Sequence, residues 1–131
     1  MKTIIKVMLV VFVLSMVPTV QAAAQKKKWK SQTEYSEGLA RVEDNNGKWG
    51  FINKKGKLVI PCRWADAKGF SEGLAPVMDD MGKWGYINKK GRVVIPIKWK
   101  DATTFERGAA EVEDESGTTL WIDKKGKEIT E

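Results

Sequence analysis

Gly82-Lys83-Trp84-Gly85-Tyr86-Ile87-Asn88-Lys89-Lys90-Gly91-Arg92-Val93-Val94-Ile95-Pro96 is the stretch that decides the fold. Trp84 and Tyr86 fall on one face of an extended chain, and Gly85 and Ile87 on the other. Asn88 opens a turn by bonding its own backbone, two lysines occupy the tip, and Gly91 closes it where a positive φ carries no steric cost. Arg92 to Ile95 is a β-branched strand that Pro96 stops. Gly85 leaves room for a group to lie across the backbone, and the candidate is an aromatic ring from an adjacent strand or repeat.

The same logic extends upstream. Leu74-Ala75-Pro76-Val77-Met78 alternates with period two, so Ala75 and Val77 are expected to face inward and Pro76 to face solvent. Without an N–H, Pro76 points to an edge or irregular strand. Asp79-Asp80-Met81-Gly82 fits a type I turn closed by a left-handed residue. Before it, Trp64 to Gly73 is rich in small residues and reads as a loop, with Phe70 tucked onto the core. One unit is therefore an antiparallel meander of three strands plus a connecting loop.

That unit recurs at a fixed period of 35 residues. Trp29, Trp64 and Trp99 are in register, as are Tyr35, Phe70 and Phe105, and Gly56, Gly91 and Gly126. A period of this size signals stacked units that cover one another's apolar faces. The expected domain is 29–131, divided 29–63, 64–98 and 99–131. The fold class is all-β, a twisted open or partly closed array of sheets. Three units are too few for a propeller.

Gly47-Lys48-Trp49-Gly50-Phe51-Ile52-Asn53 and its copy ending at Asn88, with Val59-Ile60-Pro61, Val94-Ile95-Pro96 and Phe70-Ser71-Glu72-Gly73-Leu74-Ala75, resemble the WG repeat family. The resemblance covers about Trp29 to Glu131. It departs at Trp64 and Trp99, where the family usually has tyrosine, and at Thr119-Leu120, which replaces Trp-Gly. The first copy has Ser31-Gln32 where the family has Asp-Ala. The resemblance implies an all-β repeat domain, common in bacterial proteins and often exported, and brings neither a catalytic activity nor a defined ligand.

The first 24 residues read as a secretory signal. Lys2 and Lys6 precede an apolar run from Val7 to Val17, Pro18 breaks it, and cleavage after Ala22 or after Ala24 satisfies the small-residue rule. The run is shorter than the ~20 residues of a membrane span. A basic segment, 25–28, follows. Losing Lys2 and Lys6 lowers the formal charge of +6 by two, leaving a mild excess diluted by acids such as Glu43-Asp44 and Asp79-Asp80. Cys62 is the single cysteine and occupies the place of Ile97, as a small apolar group would.

The chain has no histidine, which removes the commonest general base and metal ligand. One cysteine cannot build a thiolate cage, and the acidic turns lack the dense oxygen ligands of a calcium site. No cofactor and no catalytic residue are expected. A carboxylate-based hydrolase rests only on Glu43-Asp44, Asp79-Asp80 and Glu113-Asp114, whose turn positions explain them. The expectation is an exported (periplasmic or secreted), monomeric or weakly self-associating, non-enzymatic binding or scaffolding module for a protein or an envelope polymer. Trp49, Gly50, Trp84, Gly85, Gly56, Gly91, Gly126, Phe70 and Phe105 carry the architecture. The alternative is an anionic polymer or glycan held by Lys54, Lys55, Lys89, Lys90, Lys124 and Lys125 at the tips together with Trp64 and Trp99. Export argues against nucleic acid as the partner.

Overall fold

Six turns of one design punctuate the chain. At Asp44, Asn53, Asp79, Asn88, Asp114 and Asp123 a side-chain oxygen accepts the backbone N–H groups two and four residues on, at 2.9–3.0 Å. Each turn closes on a glycine of positive φ, from Gly47 at 79° to Gly117 at 86°. An Asx acceptor followed by a left-handed glycine is the three-to-five-residue hairpin loop that joins antiparallel strands.

The computed structural model describes residues 28–130. The signal segment and most of the basic segment lie outside them. The strands are β1 (Ser31–Ser36), β2 (Leu39–Glu43), β3 (Trp49–Asn53), β4 (Leu58–Trp64), β5 (Asp66–Ala67), β6 (Ala75–Met78), β7 (Trp84–Ile87), β8 (Val93–Trp99), β9 (Asp101–Ala102), β10 (Ala109–Glu113) and β11 (Thr119–Asp123). They form three antiparallel sheets, β1-β2-β3-β4, β5-β6-β7-β8 and β9-β10-β11, and none closes on itself. Among the described residues, no helix is long and apolar enough to cross a membrane.

The stretch read as a connecting loop contributes a strand. Asp66 pairs with Met78 and Ala67 with Val77, so the middle unit has four strands instead of the expected three. Its apparent loop includes a tight turn. Glu72 and Gly73 both have positive φ, 54° and 83°, as do Glu37-Gly38 and Arg107-Gly108. Two consecutive left-handed residues make the two-residue turn whose twist matches a hairpin. Glutamate replaces the usual asparagine there, which hides the turn from a sequence reading.

Proline does not stop β4 or β8, which run past Pro61 and Pro96 to Trp64 and Trp99. Both strands are outermost in their sheets, where a missing N–H leaves no ladder bond broken. A bulge accompanies each. Phe51 pairs with Ile60 and Trp49 with Trp64, so Pro61, Cys62 and Arg63 together oppose Gly50. A Cβ on Gly50 would stand 2.5 Å from the Ile60 carbonyl oxygen, and one on Gly85 2.7 Å from the Ile97 Cα. The group lying across the glycine is thus the bulged backbone of the partner strand, not an aromatic ring.

Packing runs perpendicular to the sheets. The first sheet contributes Leu39, Phe51, Ile60 and Trp64 to a core completed by Ala67, Phe70, Ala75, Val77 and Ile87 of the second. The second sheet's other face gives Leu74, Trp84, Tyr86, Ile95 and Trp99 to a core with Ala102, Phe105, Ala110, Val112 and Ile122 of the third. Phe70 and Phe105 reach back and meet Phe51 and Tyr86 edge-on, with centroids 4.8 and 4.9 Å apart. Burying each ring contributes roughly 2–3 kcal/mol, and the edge-on pair about 1 kcal/mol more. With both faces of the middle sheet covered, Pro76 in central strand β6 is buried, contrary to its expected exposure. The outermost face of the first sheet is covered by Trp29, which packs on Ala40, Val42 and Ile52 as the preceding unit's terminal tryptophan would.

Candidate functional site

Bonds between neighbouring units repeat as faithfully as the cores. Ser36 Oγ donates to the Phe70 carbonyl at 2.7 Å, and Ser71 Oγ to that of Phe105 at 2.6 Å. The Glu37 carboxylate accepts the Glu72 and Gly73 N–H groups, and Glu72 accepts from Gly108. Lys48 pairs with Asp80, and Lys83 with Glu115, each bridging adjacent turns. Of the paired acids, Asp44, Asp79 and Asp114 accept turn N–H groups, and Glu43, Asp80 and Glu113 pair with lysines.

A second pairing shows how one function migrates between positions. Arg41 Nη1 donates to the Ala67 carbonyl at 2.6 Å and lies over the Trp49 ring at 5.8 Å. In the next unit the cation is Lys68, 2.5 Å from the Ala102 carbonyl and 4.8 Å from the Trp84 ring. Lys68 aligns with Thr33, not with Arg41, whose counterpart is Pro76. The hydroxyls of Thr33 and Thr103 accept the N–H of Arg41 and Glu111, at 3.0 and 2.9 Å. Where lysine replaces that threonine, proline replaces the residue whose N–H needed it. Pro76 thus occupies a central strand without orphaning a donor.

In this arrangement of three stacked sheets, Trp-Gly opens the third strand of the first two. The profile described as WG containing repeat matches residues 33–49, 49–83 and 84–116. The chain belongs to the WG repeat family. No curated protein matches it at a significant level.

Within the WG repeats, Trp84 is buried and Trp49 packs against the same core as Phe51. Trp64 and Trp99, named above as binding candidates, are only 5% and 7% exposed. Each stacks inside a core, so neither offers a platform for a sugar. The exposed indole is Trp121 at 52%, a position the sequence reading passed over. It aligns with the buried Phe51 and Tyr86, and it is bare because no further sheet is stacked on β9-β10-β11 among the described residues. The third unit also replaces Trp-Gly by Thr119-Leu120, leaving a shallow depression of about 40 Å³ among Asp101, Thr103, Glu111, Glu113 and Thr119.

Two of the three lysine-bearing turns rest on the sheet before them. The turn ending in Gly91 rests on β4, where a Cβ would lie 3.3 Å from Ile60, and the turn ending in Gly126 rests on Ile95 in the same way. Of the six lysines, Lys89 forms an ion pair, 3.5 Å from Glu37. Among the described residues no group of three or more His, Cys, Asp or Glu side chains is placed to hold a metal ion, and no charged or polar residue is buried. Cys62 is half-buried, its Sγ 3.9 Å from the Val42 carbonyl. Burial pushes its thiol pKa up, Asp44 adds to this, and Lys28 partly offsets it.

Proposed function

We propose that this WG repeat protein is an exported, non-enzymatic module that binds a protein or an envelope polymer through side chains repeated along its stack. The observation that carries this reading is the division of labour among the acids and lysines. The carboxylates at Asp44, Asp79, Asp114 and Asp123 are used by the turns, while Lys54, Lys55, Lys90, Lys124 and Lys125 remain solvent-exposed at successive tips. Repeated surface groups in a rigid array bind extended partners through many weak contacts at once.

The test is capture from an envelope extract by immobilised protein starting at Gln25. Capture that disappears when all six tip lysines become serine supports the module. A hydrolytic activity lost in Asp79→Asn or Asp80→Asn would overturn it. Export is tested by recovering the protein outside the cytoplasm with Ala23 or Gln25 as its first residue.

The stacked tips favour a second reading, in which the partner is an anionic polymer. Retention on heparin at low salt, lost as salt rises, supports it. Indifference to the six lysine substitutions would count against it.

A further inference from the structure

β4 and β8 are outer strands, and one line of side chains along each faces solvent. Beside β4 the line is Lys57, Val59, Pro61 and Arg63. Beside β8 the same places hold Arg92, Val94, Pro96 and Lys98, so both lines read cation, valine, proline, cation. Neither contains a carboxylate. Among the described residues, none of these four cations takes part in an ion pair. Arg63 and Lys98 each lie 4.7 Å over the adjacent indole, which fixes where the charge stands. Val59 and Val94 are 38% and 43% exposed. The two lines run on adjacent sheets, since the turn leading into β8 packs against β4 at Ile60.

Prolines and cations on an outer strand discourage edge-to-edge pairing. That role accounts for the ends and the prolines. It leaves the valines unexplained, because exposed aliphatics on an edge work against it.

We propose that this outer-strand face docks on the surface of an anionic phospholipid bilayer. The cations meet the headgroup phosphates, and Val59, Val94 and the proline rings rest at the boundary with the acyl chains. An anionic polymer would use the cations alone, and the two indoles beside these lines, Trp64 and Trp99, are buried and offer it no stacking surface. An anionic layer with an apolar layer beneath uses both elements of each line. The face is separate from the tip lysines, so it stands or falls independently of the reading above.

The experiment is co-sedimentation with vesicles of phosphatidylglycerol and phosphatidylcholine in equal parts, against phosphatidylcholine alone. The three cores lie wholly between residues 29 and 122, so the chain from Gln25 onward is used and the apolar leader cannot partition by itself. Binding is expected on the anionic vesicles only, and it weakens with salt. Arg63→Gln with Lys98→Gln lowers partitioning roughly thirtyfold, two cations' worth at the surface. Should that pair fail to fold by circular dichroism, Lys57→Gln with Arg92→Gln, clear of any indole, reads the same loss. Val59→Ser with Val94→Ser lowers partitioning several-fold at constant charge and leaves heparin retention untouched. No sedimentation on anionic vesicles at low salt, equal sedimentation on neutral ones, or unchanged binding by the valine pair overturns the proposal. Sedimentation abolished only by the tip-lysine substitutions would also overturn it, while leaving the anionic-polymer reading standing.

Discussion

The carboxylate of Glu37 accepts the backbone N–H of Gly73 at 2.9 Å and that of Glu72 at 2.6 Å, in the equivalent turn one unit further along the stack. Glu37 itself sits at φ 53°, a backbone position unfavourable to any residue with a Cβ. The side chain thereby offsets the strain of its own turn by tying down the next one. Replacing it with alanine is expected to destabilise the stack by about 1 kcal/mol, at the low end for a charged hydrogen bond because the group is partly solvated. Thermal unfolding should move down by roughly 4–8 °C. An unchanged midpoint would show that the bridge contributes nothing.

Acid should weaken the fold through the same group and two others. The carboxyl of Glu37 lies below its ordinary range, because the Gly73 and Glu72 N–H groups and Lys89 together outweigh the opposing effect of burial. Asp114 is lowered by the Ser116 hydroxyl and then the Thr118 N–H, and Asp123 by the Lys127 and Lys125 N–H groups. A carboxylate with a depressed folded pKa favours the folded state fully above its unfolded value. That contribution is lost as pH falls through the unfolded value, about 4, towards the folded one. Urea midpoints should be flat between about pH 5 and 7 and fall below about pH 4. The fall should shrink in Glu37→Gln, and an equal fall in wild type and variant would remove Glu37 from the account.

Gly85 and Leu120 occupy the same place in successive units under different constraints. At Gly85 a Cβ would stand 2.6–2.8 Å from Ile97 and the Ile95 carbonyl oxygen. At Leu120 no bulged fourth strand crosses, since the segment after β11 joins it only through the bridge between Ile122 and Glu128. Gly85→Ala is expected to cost about 3 kcal/mol or more, because backbone as well as side chain must shift. Leu120→Gly should cost less, losing one partly buried side chain. Chemical denaturation of both variants checks the order, and a reversed order would refute the bulge as the reason for Trp-Gly.

Tryptophan exposure grades the six indoles, with Trp29 and Trp49 half-buried between the extremes. Trp64, Trp84 and Trp99 are buried and Trp121 is the most exposed. Acrylamide should quench wild-type emission heterogeneously, and Trp121→Phe should remove most of the most readily quenched fraction. If the quenchable fraction survives that substitution, the outer face of the third sheet is covered in solution.

The alternating strands, the six Asx turns and the unit length were legible because each has a local cause, whereas β1, β5 and β9 lay in what read as a loop. Alternation at Ala75 and Val77 marks a strand, and Asn88 to Gly91 marks a turn. What was not legible depends on neighbours in space. Pro76 looked solvent-facing because alternation cannot reveal that a sheet is covered on both sides. Trp64 and Trp99 looked available because a tryptophan at the end of a strand carries no sign of the sheet stacked on it. The exchange between Lys68 and Pro76 was written in the register of the copies, in Thr33 and Thr103 against Lys68, and needed only a hydrogen-bond account to be read.

That exchange gives the most discriminating experiment. Lys68→Thr alone removes the cation from the Trp84 ring and from the Ala102 carbonyl. It leaves a hydroxyl with no N–H to accept, since position 76 is proline. Pro76→Arg alone restores an N–H within a covered strand while Lys68 offers no acceptor, and it places a second cation beside the first. Each single change is expected to destabilise by about 1–2 kcal/mol. Together they recreate the first unit, with Thr accepting the strand N–H and Arg reaching the next carbonyl over the indole. The double variant should recover much of the loss, with a coupling of about 1–3 kcal/mol in a double-mutant cycle. Strict additivity of the two losses would mean that the matched substitutions are independent, and that the register between copies says nothing about how Pro76 is tolerated.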